Sequence, residues 1–318
     1  MDTRTQTPSE TWPRLPLEEW QDTLATLHRW LQMAGKTRLA LSPAENHWWH
    51  VAQYVTARGL TTSPMPAGDR TLEIEFDFIG HRLEARTSDG AVSDLPLEPL
   101  SVAEFYGRYL EMLRSFDVEV RMHPVPSEIA NAAPFPSDRT HASYDRDAVQ
   151  RCFRVLVQAD RVFKDFRGRF IGKCSPVHFW WGSFDLACTR FSGRRAPLHP
   201  GGIVGLPDRV TREAYSHECI SAGFWPGTPD APIREPIFYA YAYPEPPGCS
   251  TATVRPAPAE YHPVLREWTL PYEAVRRSSD PDGMLLEFLQ STYETAADLG
   301  EWNRSELERS ASTGAPEA

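Results

Sequence analysis

The chain has 318 residues, 41% of them hydrophobic and 24% charged, an ordinary globular composition that suits roughly two domains of about 100–200 residues each. Its formal net charge of −10 argues against a nucleic-acid or anionic-membrane surface, and no stretch approaches the roughly 18–20 apolar residues of a membrane span. A polar N-terminus without an apolar signal core, and five cysteines (Cys152, Cys174, Cys188, Cys219, Cys249) without CxxC spacing, point to a cytoplasmic chain with free thiols.

Residues 1–11 are polar and expected to be disordered. Trp20, Leu24, Leu27 and Leu31 recur at helical spacing and predict an amphipathic helix from about Leu17 to Met33, with Gly35 as its C-terminal stop. Ser42-Pro43 follows, and Trp48-Trp49 is expected to open a strand that carries Arg58. Leu72, Ile74, Phe76 and Phe78 then alternate with Glu73, Glu75 and Asp77. After a turn at Ile79-Gly80, Arg82, Glu84 and Arg86 alternate with Leu83 and Ala85, which gives a hairpin with one core face and one charged face. Leu95-Pro96-Leu97-Glu98 leads into a helix containing Glu104-Phe105, and the Pro-rich stretch within 121–145 reads as a linker.

The same features return in order. Val149, Phe153, Leu156 and Phe163 predict a helix from about Asp147 to Phe166 with Asp145 as N-cap. Ser175-Pro176, Trp180-Trp181 and Arg190 follow, the arginine again ten residues beyond the first tryptophan, and then come Leu270-Pro271-Tyr272-Glu273 and a helix with Glu287-Phe288. The order predicts an α+β fold made of two diverged copies of a helix–antiparallel sheet–helix module, 12–120 and 146–302, related by a pseudo-twofold, with a disordered tail at 303–318. On that basis Trp48 is expected to overlay Trp180, Arg58 to overlay Arg190, Leu95 to overlay Leu270, and Gln53 to become Asp185.

The second copy is longer, through Gly/Pro-rich segments at 193–209, 226–236 and 244–263, and loops added to a rigid scaffold are where sites are usually built. Its densest reactive set is His178, Asp185, Arg190, His217 and Glu218. Two histidines and a carboxylate suit a divalent metal such as iron or zinc, with His178, His217 and Glu218 as ligands. The same groups, with Asp185, suit general acid–base catalysis without metal. Strict alternation places His178 and Asp185 on opposite strand faces unless Gly182 marks a bulge, and structural, hydrogen-bonded histidines are the plainer explanation. Arg190, Trp181 and the row Tyr239, Tyr241 and Tyr243 on one strand face are the candidates for holding a substrate. There is no phosphate loop, GxSxG elbow, HExxH or dinucleotide fingerprint.

The segments HASYD (141–145), FIGKCSPVHFWWGSFDLACTRFSGRRAP (170–197), REAYSHECISAGFWPG (212–227) and FYAYAYPEPPG (238–248) carry a resemblance across nearly the whole chain. With WPRLPLEEW (12–20) and LQSTYETAADLG (289–300), they resemble the bacterial family catalogued as domain of unknown function 5996. The resemblance implies one compact unit and brings no reaction, substrate or cofactor. The expected function is a cytoplasmic enzyme acting on a small molecule, its site in the second module facing the first. The alternative is a non-catalytic binding or interaction module using the Tyr/Trp-rich groove.

Overall fold

The computed structural model describes residues 11–229 and 231–309, so the expectations for the extreme termini, 1–10 and 310–318, lie outside the described residues. The first helix, α1 (Gln21–Leu41), does not stop at Gly35. The indole of Trp181 lies flat against that glycine, where a Cβ would stand only 2.3 Å from the ring. Gly35 is therefore a close-approach residue. The helix ends instead before Ser42-Pro43, where Ser42 takes the extended conformation that a following proline demands.

Trp48 and Trp49 do not open a strand. They sit in a short irregular helical segment, Asn46–Val51, in which His47 and Trp48 both adopt positive φ. The first sheet follows as an antiparallel meander of β1 (Tyr54–Val55), β2 (Gly59–Thr61), β4 (Arg70–Asp77), β5 (Arg82–Thr87) and β6 (Val92–Pro96), with β3 (Met65–Ala67) also paired to β4. The alternation read from the sequence is realised in β4. Leu72, Ile74 and Phe76 face the core; on the other face Glu75 and Asp77 are buried too, rather than solvated, with Glu75 and Glu84 ion-paired to Arg86 and Asp77 to Arg58. Helix α2 (Val102–Ser115) starts at a capping box in which Ser101 and Glu104 satisfy each other's backbone N–H groups. It packs on α1 through Trp30 stacked on Phe105, ring centroids 4.3 Å apart.

Residues 121–145 run over the molecule as an ordered segment. Ser127 exchanges two hydrogen bonds with the Gln32 side chain, and Phe135 is buried against Tyr106. Asp145 caps α3 (Arg146–Gly168) by accepting from Ala148 N–H. The apolar face of α3 serves both halves, since Phe153 meets Phe78 and Phe163 meets Phe238.

The second sheet has the order β11-β12-β10-β9-β8-β7, from β7 (His178–Trp180), β8 (Asp185–Arg195), β9 (His217–Trp225), β10 (Ile237–Tyr243), β11 (Glu260–His262) and β12 (Glu267–Pro271). A short helix α4 (Asp208–Ala214) lies in the β8–β9 connection. Helices α5 (Tyr272–Arg277) and α6 (Pro281–Leu299) follow β12, and α6 packs with α3 on one face of this sheet. The two sheets meet edge to edge, where Gln53 and Phe179 exchange backbone hydrogen bonds of 2.9 and 2.8 Å.

The chain beyond 303 is ordered as far as it is described. A turn of helix, α7 (Arg304–Leu307), is pinned by Leu307 and Arg309 to the backbone at 169–172. No helix among the described residues is long and apolar enough to cross a membrane.

The positional equivalences expected from the tryptophans fail. Trp48 lies before β1 whereas Trp180 ends β7, and Arg58 lies in the β1–β2 turn whereas Arg190 lies within β8. Gln53 precedes β1, whereas Asp185 begins β8. Leu95 and Leu270 do occupy like places, each on the last strand before a helix. Matching dipeptides had aligned segments of different backbone geometry.

Candidate functional site

The floor of the site is the face of the second sheet turned away from α3 and α6, and it is concave because its central side chains are small. In register across β8, β9 and β10, Ala187 stands opposite Gly223 and Tyr239, while Thr189 stands opposite Ser221 and Tyr241. Gly223 is required here, because the Tyr239 phenol crosses over it and a Cβ would stand 2.4 Å from that ring. The resulting cleft of about 630 Å³ is walled by Trp48, Trp49 and His47 from the Asn46–Val51 segment. Lys36 of α1, Ser127 and Glu128 of the 121–145 segment, Trp180 and Trp181, and α4 with the loop before it close the other sides. The aromatic enclosure and convergent polar groups are the usual make-up of a small-molecule site.

Asp185 sits in this cleft. Its two carboxylate oxygens accept from the Ser183 hydroxyl and the Tyr239 phenol, and burial pushes its pKa up to about 6. Burial first, and repulsion from Asp185 second, push both Glu128 and Glu267 up to about 7. No cation among the described residues offsets either shift. Tyr239 stacks beside Tyr241, whose hydroxyl lies 2.7 Å from that of Tyr215. Tyr239 and Tyr241 thus line one side of the cleft, while Tyr243, the third of the row, lies outside the lining, against His199 and donating to the Pro197 carbonyl.

The Lys36 ammonium is buried, donates to the Ser127 hydroxyl at 3.1 Å and lies 5.7 Å from the Trp181 ring centre. Burial alone draws its pKa down to about 8. Nothing local in the sequence singles out Lys36 or Glu128. They belong to a helix and to the 121–145 segment, and only the tertiary fold brings them together. His47 also lines the cleft, on a segment that is irregular and not the expected strand. Its Nδ1–H donates to the Ala214 carbonyl at 2.8 Å, which leaves Nε2 to accept from the Lys173 ammonium at 2.7 Å.

The other sequence candidates lie elsewhere. His178 and Asp185 share a sheet face after all, since His178 pairs with Ala187 and Trp180 with Asp185 across the β7–β8 turn. The His178 ring is nevertheless 1% exposed, enclosed by Trp49, Tyr54 and Trp180, and burial draws its pKa down to about 3. His217 lies at the start of β9 with its ring 5.6 Å from that of His47, and its Nδ1 meets the Ser216 hydroxyl. Glu218, its neighbour on the strand, turns to the opposite face and binds Ser192 and Arg194. His178, His217 and Glu218 therefore do not gather at one point. Among the described residues no group of three His, Cys, Asp or Glu side chains is arranged to hold a metal ion.

Arg190 lies on the opposite face of β8 from the cleft. It is wholly buried, with its guanidinium 3.5 Å from the Phe166 ring centre and 4.2 Å from that of Tyr293. It clamps α3 to α6 and reaches no substrate site. Trp181 borders the cleft, but its indole N–H donates to the Val51 carbonyl at 2.8 Å and its ring covers Gly35, so it holds the halves together. The β7–β8 turn is also tied to α1 by His28, whose Nε2–H donates to the carbonyls of Trp181 and Gly182.

No curated protein and no solved structure matches the chain. A family model does, over residues 12–309, the same span as the two sheets with their helices and the cleft, and the chain belongs to the family of unknown function DUF5996.

Proposed function

We propose that the chain is an enzyme acting on a small polar molecule held in the cleft, with Asp185 as its acid–base group. The observation that supports this is the gathering of Asp185, Glu128 and Lys36 around one aromatic-walled cavity, each shifted toward neutrality. Shifts of this kind cluster where proton transfer is done. A carboxylate with a pKa near 6 is a better base at neutral pH than an ordinary one, and the Ser183 and Tyr239 hydroxyls fix its orientation. Lys36, with its pKa lowered to about 8, supplies a second proton-transferring or nucleophilic group. All five cysteines are free, which fits a cytoplasmic setting.

We also infer that the two halves are diverged copies, on the order of their strands rather than on the tryptophan pairs. Five strands in the order β1-β2-β4-β5-β6 precede α2, and five in the order β7-β8-β9-β10-β12 precede α5 and α6.

The second reading is a non-catalytic binding module. It is favoured by the fact that both Asp185 oxygens already accept hydrogen bonds within the protein. The two readings separate in one experiment. The chain is screened against a panel of small polar metabolites by thermal shift, and every stabilising compound is incubated with wild type and with Asp185→Asn and followed by mass spectrometry. Turnover by wild type that falls at least about a hundredfold in Asp185→Asn, with binding retained, is the expected result, general acid–base contributions being roughly 10²–10⁴-fold. Binding without product in wild type would establish the binding module instead.

A further inference from the structure

On the face of β8 away from the cleft lies a thiol pair that the proposed chemistry does not use. Residues 173–175 run beside β8 as a short antiparallel ladder, with Ser175 N–H donating to Thr189 and Phe191 N–H donating to Lys173. Cys174 faces Arg190 in this ladder, and its Sγ lies 3.6 Å from that of Cys188. That separation is a hydrogen-bonded contact between two reduced thiols, and closing it to a disulfide at about 2.05 Å needs side-chain rotation and a small shift of the ladder.

Arg190 makes the pair chemically asymmetric. Its Nη2–H donates to the Phe166 carbonyl, while its Nε and Nη1 have no hydrogen-bond partner although they are buried. No carboxylate among the described residues forms an ion pair with it, and the two thiols are the groups that most favour its charge. The Cys188 hydrogen bond lowers the pKa of Cys174 against the effect of burial, helped by Arg190 and Arg167, while the contact with Cys174 and burial raise that of Cys188. Cys174 is half-buried and Cys188 fully so, which leaves the group better suited to the thiolate as the one nearer solvent. Cys152, Cys219 and Cys249 are buried, and burial raises the pKa of each.

We propose that Cys174 and Cys188 form a reversible, hydroperoxide-sensitive dithiol, with Cys174 as the attacking thiolate and Cys188 as the resolving thiol. In the first step the Cys174 thiolate attacks one oxygen of hydrogen peroxide, the O–O bond breaks, and hydroxide leaves, giving a sulfenic acid. In the second step the Cys188 sulfur attacks that sulfenic sulfur and the S–O bond breaks. The Cys188 proton departs with the hydroxyl as water, and the disulfide forms. Two electrons pass from the thiols to the peroxide, and a dithiol reductant reverses the change. Lys173, the residue before Cys174, donates to His47 in the cleft wall, which ties the 173–175 ladder to that wall.

The test treats the full chain, in its native state, with a few equivalents of hydrogen peroxide, alkylates the remaining thiols, and maps the peptides by mass spectrometry. A Cys174–Cys188 disulfide that dithiothreitol removes, with Cys152, Cys219 and Cys249 still alkylated, is expected. Cys188→Ser should stop at a Cys174 sulfenic acid that dimedone traps, and Cys174→Ser should leave Cys188 reduced. Iodoacetamide should modify Cys174 at least about tenfold faster than the other four thiols at neutral pH. The proposal is overturned if peroxide oxidises another cysteine first, if Cys174 passes to the sulfinic acid without a disulfide, or if both thiols survive. The wild-type map decides between these outcomes even if a variant fails to fold.

Discussion

The polar faces of the two sheets solve the problem of charge in opposite ways. On the first, Glu75, Asp77 and Glu84 stand beside Arg58, Arg82 and Arg86, each carboxylate within 3.0 Å of a guanidinium, and Thr56 and Thr61 complete the bonds to Glu75 and Glu73. On the second, the middle of the face is made of Ala187, Thr189, Ser221 and Gly223, and Asp185 has hydroxyl partners only. The first face is covered by its own long side chains. The second is hollow, roofed by residues from α1, the 121–145 segment and the β8–β9 connection. A sheet face gains a cavity by losing side-chain volume at its centre, and the carboxylate left there, Asp185, is held by hydroxyls with no cationic partner among the described residues.

Mutations at chosen points can break or sharpen this contrast. The largest effect belongs to the buried face of the second sheet. Phe238 is fully buried against Trp12, Phe163 and Tyr272, so Phe238→Ala should cost about 3–5 kcal/mol in chemical denaturation. Three residues on, and on the other face, Tyr241→Phe removes only the bond to Tyr215 and should cost about 1 kcal/mol. Equal losses at the two positions would show that the cleft face is core.

An intermediate effect belongs to Asp185 and depends on pH. Its carboxyl is raised from 3.8 to about 6, so the folded state holds that proton more tightly than the unfolded chain. The resulting stability is fully present below about pH 4 and is lost as the pH rises through 6, by on the order of 2–3 kcal/mol. Asp185→Asn removes the titration, so its stability relative to wild type should rise between pH 4 and 6 and level off above. A flat difference across that range would mean that Asp185 is not held in a desolvated site.

The smallest effect is expected on the first sheet. Arg82 and Arg86 are each more than 40% exposed at the side chain, so the ion pairs they make with Glu84 are screened by solvent. Glu84→Gln should change stability by less than about 1 kcal/mol, measured at low and at high salt. A loss as large as that at Asp185 would erase the distinction between the two faces.

Local patterns were legible in the sequence and tertiary meetings were not. The alternation in 70–87, the Asp145 cap and the shared face of Tyr239 and Tyr241 all follow from periodicity or capping chemistry acting within a few residues. Gly35 resembled a helix stop because its true reason, the Trp181 ring, lies far along the chain. The His178–Asp185 relation was misjudged because the turn between them resets the alternation, and pairing across the hairpin decides the face. Trp48-Trp49 and Trp180-Trp181 look alike as letters, but the positive φ of Trp48 gives its segment a different course. Asp185 was legible as a reactive side chain. Its companions Glu128, Glu267 and Lys36 were not, since no spacing rule links a helix, an irregular segment and a distant strand.

The contact of Gln53 with Phe179 also bears on how the chain avoids its own kind. Unpaired strand edges are templates for other chains, and each sheet here turns one edge toward its neighbour. Among the described residues, the edge strands left on the outside are β6, which is five residues long and ends in Pro96, and β3 and β11, each three residues long, with Pro66 in the middle of β3. Short strands and a proline make poor partners for intermolecular pairing. The same junction that brings the Asn46–Val51 segment to the cleft thus covers one edge of each sheet within the chain itself.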